Sequence, residues 1–255
     1  MAALKARPAL RAIRNQLRGR RDPRRVQWEF DRRRPWVTGF NIDGRAYGGN
    51  HFFEGEYRVA QFEAAFADVR RILELGSLEG GMSFQMAAHP GRQVLAVEGR
   101  VQNVTKARYV QSLLGMTNVE FRQLNLEETP ISSLGDFDAV MCSGVLYHLP
   151  RPCLLLDELG HCNSDCYVWT HFAFESEVEA EVDGAPGRWY REYGAADPLS
   201  GMSARSFWMT EVAIVARLKA AGFGDVEVIW RDLTGYPSGP ALSLVARRQP
   251  ASTPG

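Results

Sequence analysis

The chain has 255 residues, 45% hydrophobic, 11% aromatic and 24% charged. This makes an ordinary folded domain with appendages and excludes a disordered chain, a fibrous repeat and a disulfide-stapled miniprotein. No run approaches about 18 apolar residues, so no segment reads as a membrane span. The net charge of zero is a sum of opposites, because residues 1–35 hold Lys5 and eleven Arg against Asp22, Glu29 and Asp31, a net +9 that leaves −9 for the rest.

In chain order, Arg7, Arg11, Arg14 and Arg18 recur at helical spacing opposite Leu10, Ile13 and Leu17, which predicts a short basic amphipathic helix over 9–18, stopped by Asp22-Pro23. The arm 1–35 reads as a solvated face, a nucleic-acid contact, a membrane-surface anchor or an Arg-rich presequence. Residues 36–50, aromatic and rich in Gly, read as loop or short strand. Val59, Phe62, Phe66 and Val69 predict a helix of about 12 residues.

From Arg71 the pattern becomes short apolar runs separated by helix-length segments. The runs are Ile72–Leu75, Val94–Val97, Val119–Phe121, Phe137–Met141 and Tyr167–Thr170. Such spacing predicts βαβ units, whose ligands sit outside the carboxyl ends of the strands. Residues 173–207 break the rhythm. Glu175, Glu177, Glu179, Glu181 and Asp183 alternate with smaller residues, predicting a strand with five acids on one face, a turn at Asp183-Gly184 and a return strand through Arg188–Tyr193, together a lid. Thr210 is the expected N-cap of a helix over 211–221 ended by Gly222, and 226–230 and 241–246 close the domain as antiparallel strands. Residues 36–248 are thus one domain, and 249–255 a disordered tail.

The turn after the first run carries the chemistry. A dinucleotide-binding turn places Gly at its first, third and sixth positions, and here Leu78 stands at the third, where a diphosphate would lie. The pattern Glu74-x-Gly76-x-x-x-Gly80 suits instead a cofactor with an ammonium group and no phosphate. Glu74 is its cation partner, Glu98 at the next strand end can accept two ribose hydroxyls, and Asn125 after the third can pair with an adenine edge. Together these indicate S-adenosylmethionine.

Segment 71–152 resembles the class I S-adenosylmethionine-dependent methyltransferases. Glu74–Gly81 resembles their first motif, Ala96–Arg100 their second, Leu124–Glu128 their adenine loop, and Asp138–Leu149 their fourth motif. The resemblance implies an α/β, Rossmann-like, mostly parallel seven-stranded sheet with helices on both faces, here with a small hairpin or lid insertion. It adds Ser77, Leu126 and Ser143 to the cofactor-binding set. Leu78 and Asn125 depart from the usual Gly and Asp.

Methyl transfer is an in-line displacement, so the protein mainly aligns the groups. A hydroxyl acceptor also needs a base. His148 is the first candidate, His171 the rival, and Tyr147 an orienting group. His148 alternatively caps the next helix. His161-Cys162-x-x-x-Cys166 lacks a fourth ligand at metal spacing, so the four cysteines read as reduced thiols, the five acids as solvated charges, and no metal is expected. The Leu-Tyr-His triplet also resembles the tRNA wobble-uridine carboxymethyltransferases, whose carboxylated cofactor needs a cation, for which only Arg188 and Arg191 offer themselves. A body at −9 favours a small-molecule acceptor and leaves nucleic acid a partner through the arm alone. The expected setting is cytoplasmic, as monomer or homodimer.

Overall fold

The computed structural model describes residues 22–194, 196–234 and 239–249. The expected basic helix 9–18 and residues 250–255 of the tail lie outside them. The chain divides into two compact units, residues 1–124 and 125–255.

In the first unit, Asp22-Pro23 starts a helix. The Asp22 carboxylate accepts the Arg24 N–H at 2.9 Å, and Pro23 sits where a helix leaves an N–H unbonded anyway, so α1 runs Pro23–Asp31. Phe30 of α1 packs against Trp36, Phe40, Tyr47 and Tyr109. The aromatic stretch forms a small sheet of β1 (Thr38–Ile42), β2 (Arg45–Gly48) and β3 (His51–Phe52). Asp43 and Gly44, at φ 52° and 83°, make the two-residue hairpin turn whose twist suits adjacent antiparallel strands. Helix α2 (Tyr57–Ala65) is shorter than its periodicity predicts, because Phe66 leaves helical backbone at φ −135°.

Then follow β4 (Arg71–Leu75), α3 (Gly81–Ala87), β5 (Gln93–Glu98), α4 (Val101–Leu114) and β6 (Val119–Gln123). β4 and β5 pair in parallel, as do β5 and β6. Ile72, Leu73, Leu75, Ala96 and Val97 are buried, as continuous apolar runs in a parallel sheet covered on both faces must be.

The second unit holds β7 (Ala139–Ser143), a single 3-10 turn (Leu146–His148), α5 (Pro152–His161) and β8 (Asp165–His171), with β7 and β8 parallel. The predicted acidic strand is mostly absent. Glu175–Glu177 is a 3-10 turn in which the Phe174 N–H donates to the Glu177 side chain at 2.9 Å, a local closure that competes with strand pairing. Only β9 (Ala180–Val182) remains, joined through Asp183 and Gly184, at φ 51° and 79°, to β10 (Ala185–Arg191). β11 (Arg205–Met209) pairs on the other side of β10. Thr210 caps α6 (Glu211–Ala220) as expected, Gly222 follows at φ 98°, and β12 (Phe223–Asp232) and β13 (Ala241–Arg248) are antiparallel. The seven-stranded sheet has the order β12-β13-β8-β7-β4-β5-β6, parallel in its β4–β5, β5–β6 and β7–β8 pairs and antiparallel where β13 meets β8 and β12. Among the described residues no helix is long and apolar enough to cross a membrane.

Candidate functional site

The turn between β4 and α3 is held from beneath. The N–H groups of Gly76 and Ser77 both donate to the Val97 carbonyl, at 2.9 and 3.0 Å, and Gly80 donates back to Ser77 at 2.8 Å. Gly80 has φ 87°, and a Cβ there would meet the Phe121 ring at 2.8 Å, while one on Gly81 would meet Phe53 at 2.4 Å. Both positions need glycine. Leu78 also occupies the left-handed region, at φ 51°, and its N–H is taken by Glu98 Oε2 at 3.0 Å.

Glu74 at the end of β4 is 1% exposed. Its Oε2 accepts the Ser83 hydroxyl, whereas Oε1 is buried with no hydrogen-bond partner, as is the Ser77 hydroxyl. Burial pushes the Glu74 carboxyl up to about 7, against the pull of Ser83. An orphaned acceptor at the strand end and an orphaned hydroxyl in the turn that follows fit a cofactor that brings an ammonium donor. Glu98 is buried too, and burial raises its pKa despite N–H donors at both oxygens: Leu78 on one and Arg100, at 2.8 Å, on the other. The Asn103 amide also reaches the oxygen that Arg100 holds, at 3.4 Å, so a second lone pair is left on the oxygen facing Leu78.

Sequence reasoning missed Glu79. It lies within the same turn, is fully buried, and pairs with Lys106 Nζ of α4 at 2.8 Å. Its Oε2 also accepts the N–H groups of Val37 and Thr38, at 3.1 and 2.6 Å, and Lys106 donates to the Pro35 carbonyl. The turn is thereby tied to the start of β1. A charge in a Gly-rich loop reads as solvated, and nothing in the spacing pairs it with a lysine 27 residues on.

In the second unit, Asn125 Oδ1 accepts the Glu127 N–H at 3.1 Å, closing a turn in which Leu126 is half-buried. The Ser203 hydroxyl reaches Glu127 at 2.8 Å. Ser143 ends β7, buried. Tyr147 and His148, half-buried, occupy the 3-10 turn with ring centroids 4.1 Å apart. His148 caps no helix. Its Nδ1 lies 2.9 Å from Glu192 Oε1, just beyond β10. His171 stands edge-on to Tyr147 at 4.6 Å and stacks on Trp208 at 5.1 Å, which stacks on Tyr190 at 4.6 Å. Burial lowers the pKa of His171, whose Nδ1 meets the Pro240 carbonyl at 3.0 Å. The structure therefore gathers Tyr147, His148 and His171 in one cluster and adds Glu192, which sequence reasoning did not single out.

Three of the five acids of the insertion find basic or backbone partners. Asp183 is bonded to Arg151, Glu179 accepts the Trp189 N–H, and Glu177 lies 3.6 Å from Arg188. All four cysteines are free and buried, and burial pushes Cys142 up to about 12 and Cys162 to about 11. Among the described residues no group of His, Cys, Asp and Glu could hold a metal ion.

A family model described as a methyltransferase domain matches residues 68–179. The N-terminal domain of EvdMO1, solved in the presence of SAH and D-fucose, has a TM-score of 0.80 and 32% identity, covering 91% of this chain and 100% of that one. A ubiquinone biosynthesis O-methyltransferase of Xanthomonas axonopodis pv. citri is 34% identical over 101 residues, 40% of each chain. A tRNA U34 carboxymethyltransferase of Desulfotalea psychrophila is 32% identical over 126 residues, 46% of this chain and 37% of that protein. The chain spans well under half the length of these two curated relatives. SAH is what remains of S-adenosylmethionine after methyl transfer, and S-adenosylmethionine is the methyl donor here. Fold, first-turn geometry and relatives agree: the chain belongs to the class I S-adenosylmethionine-dependent methyltransferases.

Proposed function

We propose that the enzyme methylates a hydroxyl of a small, ring-shaped acceptor such as a sugar or secondary metabolite, with His148 as the base. The observation that carries this reading is the half-buried Tyr147–His148 pair, 4.1 Å between rings, backed by the buried stack of His171 and Trp208. An imidazole there can act as a proton acceptor, while the aromatic backing fixes it against a ring-shaped partner. His171, buried and held by a carbonyl, supports the cluster and is the second candidate base. The EvdMO1 domain solved with SAH and D-fucose, which this chain matches over that domain's whole length, supports a small acceptor.

When bound, the cofactor supplies a methyl group on a sulfonium, a leaving group already in place. Glu74, Gly76, Ser77, Gly80 and Glu98 would hold it, and Asn125, Leu126 and Ser143 are the further candidates for its binding. Glu74 would offer its unpartnered oxygen to the ammonium, and Glu98 the remaining lone pair of its Oε2 to a ribose hydroxyl. Tyr147 would orient the acceptor, and His148 would take the proton of its hydroxyl. Segment 173–207 serves as a lid on the domain 36–248.

The tRNA U34 carboxymethyltransferase relatives favour a second reading, an RNA acceptor recruited through the basic arm 1–35. Transfer of labelled methyl to a cell extract split into RNA, protein and small-molecule fractions separates the two. Label in the small-molecule fraction is expected. Label confined to RNA, and lost from a variant lacking residues 1–21, would replace the first reading with the second.

A further inference from the structure

Four donors converge on the Glu192 carboxylate. Oε1 lies 2.9 Å from His148 Nδ1 and accepts the Ser206 hydroxyl at 2.7 Å, and Oε2 accepts the Ser200 hydroxyl at 2.5 Å and the Gly201 N–H at 2.7 Å. The carboxylate is 6% exposed and comes from the insertion, 44 residues beyond the histidine. Burial on its own raises its pKa, but the bonds from His148, Ser200 and Gly201 outweigh that and hold it at about 2.

An ionised carboxylate accepts and cannot donate, so the His148 nitrogen facing it must carry a hydrogen. In a neutral imidazole the other nitrogen, Nε2, then has its lone pair free. Ser200, Gly201 and Ser206 stand at the oxygens of Glu192 and hold the carboxylate in place.

We infer that Glu192 is the positioning residue of the reaction, holding His148 with Nδ1 protonated and Nε2 open as the proton acceptor. This rests on the reading of His148 as the base toward a hydroxyl. In the transfer the acceptor oxygen bonds to the methyl carbon, the carbon–sulfur bond breaks with its electrons left on sulfur, and the hydroxyl proton goes to His148 Nε2. The imidazolium so formed faces the Glu192 carboxylate, which favours its formation. The insertion thereby supplies a part of the base as well as a cover. Among the described residues, Tyr147 stands 4.1 Å from His148 ring to ring, and His171 lies beyond that ring.

The test is a nitrogen-15 spectrum of the histidine side chains of the full chain, recorded at rising pH until the signals are those of the neutral ring, with His148 assigned by loss of its signals in His148→Asn. Protonated Nδ1 and bare Nε2 are expected in the wild type. Protonated Nε2 overturns the inference, whatever the acceptor proves to be. The second arm is Glu192→Gln, whose amide can donate to Nδ1 and so permits the opposite tautomer. Turnover of the acceptor found by label transfer should fall about 100-fold, within the usual range for losing acid–base catalysis, with KM and SAH affinity unchanged. Glu192→Asp, which keeps the charge, should restore part of that turnover. Unchanged tautomer and turnover in a folded Glu192→Gln protein overturn the inference. Should Glu192→Gln not fold, the wild-type spectrum still decides. A correct tautomer together with label only in RNA defeats the reading of function and leaves the arrangement of the two side chains standing.

Discussion

Glu98, the last residue of β5, accepts the backbone N–H of Leu78 at 3.0 Å, and Leu78 occupies a left-handed conformation at φ 51°. The side chain at one strand end thus shapes the turn leaving the neighbouring strand. A branched residue in that region costs about 1–3 kcal/mol unless its surroundings fix it there, and the Glu98 carboxylate is one of the groups that fix it. Glu98→Ala removes the acceptor shared by Leu78 and Arg100 and should lower stability by about 1–3 kcal/mol. SAH affinity, read by calorimetry, should fall more than about tenfold, equivalent to 1.4 kcal/mol. Glu98→Gln, which keeps one acceptor oxygen, should lose less of both. Wild-type melting and binding in the Ala variant would show that the turn holds its shape without Glu98.

Glu74 gives stability a definite dependence on pH. Burial raises its carboxyl from 4.5 to about 7 in the folded chain, so the folded state holds the proton more tightly than the unfolded one. The stability this contributes is complete below about 4.5 and is lost as pH rises through about 7. The gap amounts to about 3 kcal/mol. Glu74→Gln, which still accepts from Ser83 and cannot ionise, should therefore melt higher than wild type at about pH 8 and close to it at about pH 4. A difference in melting temperature that does not vary with pH would contradict the assignment. An ammonium arriving at Oε1 favours the ionised form, so SAH binding near pH 7 should release a proton, seen as a binding enthalpy that changes with the buffer's own ionisation heat.

The Glu79–Lys106 pair is buried, with side chains 0% and 8% exposed. Removing one partner strands a charge, and Lys106→Met should cost about 3–5 kcal/mol. The double variant Glu79→Gln, Lys106→Met should recover much of this, since it buries no charge at all. Amide exchange should locate the loss at Val37 and Thr38, whose N–H groups bond to Glu79. A single variant as stable as wild type would mean that water reaches the pair.

Gly187 faces Met209 across the β10–β11 pair, and a Cβ added to it would lie 2.1 Å from the Trp208 carbonyl oxygen. Backbone cannot give way there without parting the strands. Gly187→Ala should cost about 1–3 kcal/mol. Glu192 lies just beyond β10 and Ser206 lies on β11, so turnover should drop further than stability predicts. Normal turnover in the folded variant would show that the strand pair tolerates the shift.

The strands of the parallel sheet were readable because each is a buried apolar run, a signal carried by adjacent residues. Asp183-Gly184 was readable for a similar reason, since a two-residue turn needs residues that tolerate positive φ. Asp43-Gly44 carries the same signal and forms the same kind of turn, inside a stretch whose aromatic and glycine content reads as loop or short strand. Asp22-Pro23 can stop one helix or cap the next, and here it caps α1. The acidic alternation misled because period two describes a strand only when a neighbour pairs with it, and at Glu177 a local side-chain bond replaced that neighbour.

The sequence by itself determined the α/β class, the cofactor, and the Gly76–Gly80 turn with an acid on either side, because strand periodicity and backbone freedom are properties of a few consecutive residues. Tertiary structure alone decided which charges go inside and what each one meets. Glu79 with Lys106, Glu98 with Leu78, and Glu192 with His148 join residues 20 to 44 positions apart. A carboxylate looks the same in the sequence whether water or a buried donor awaits it, and only the fold brings the donor.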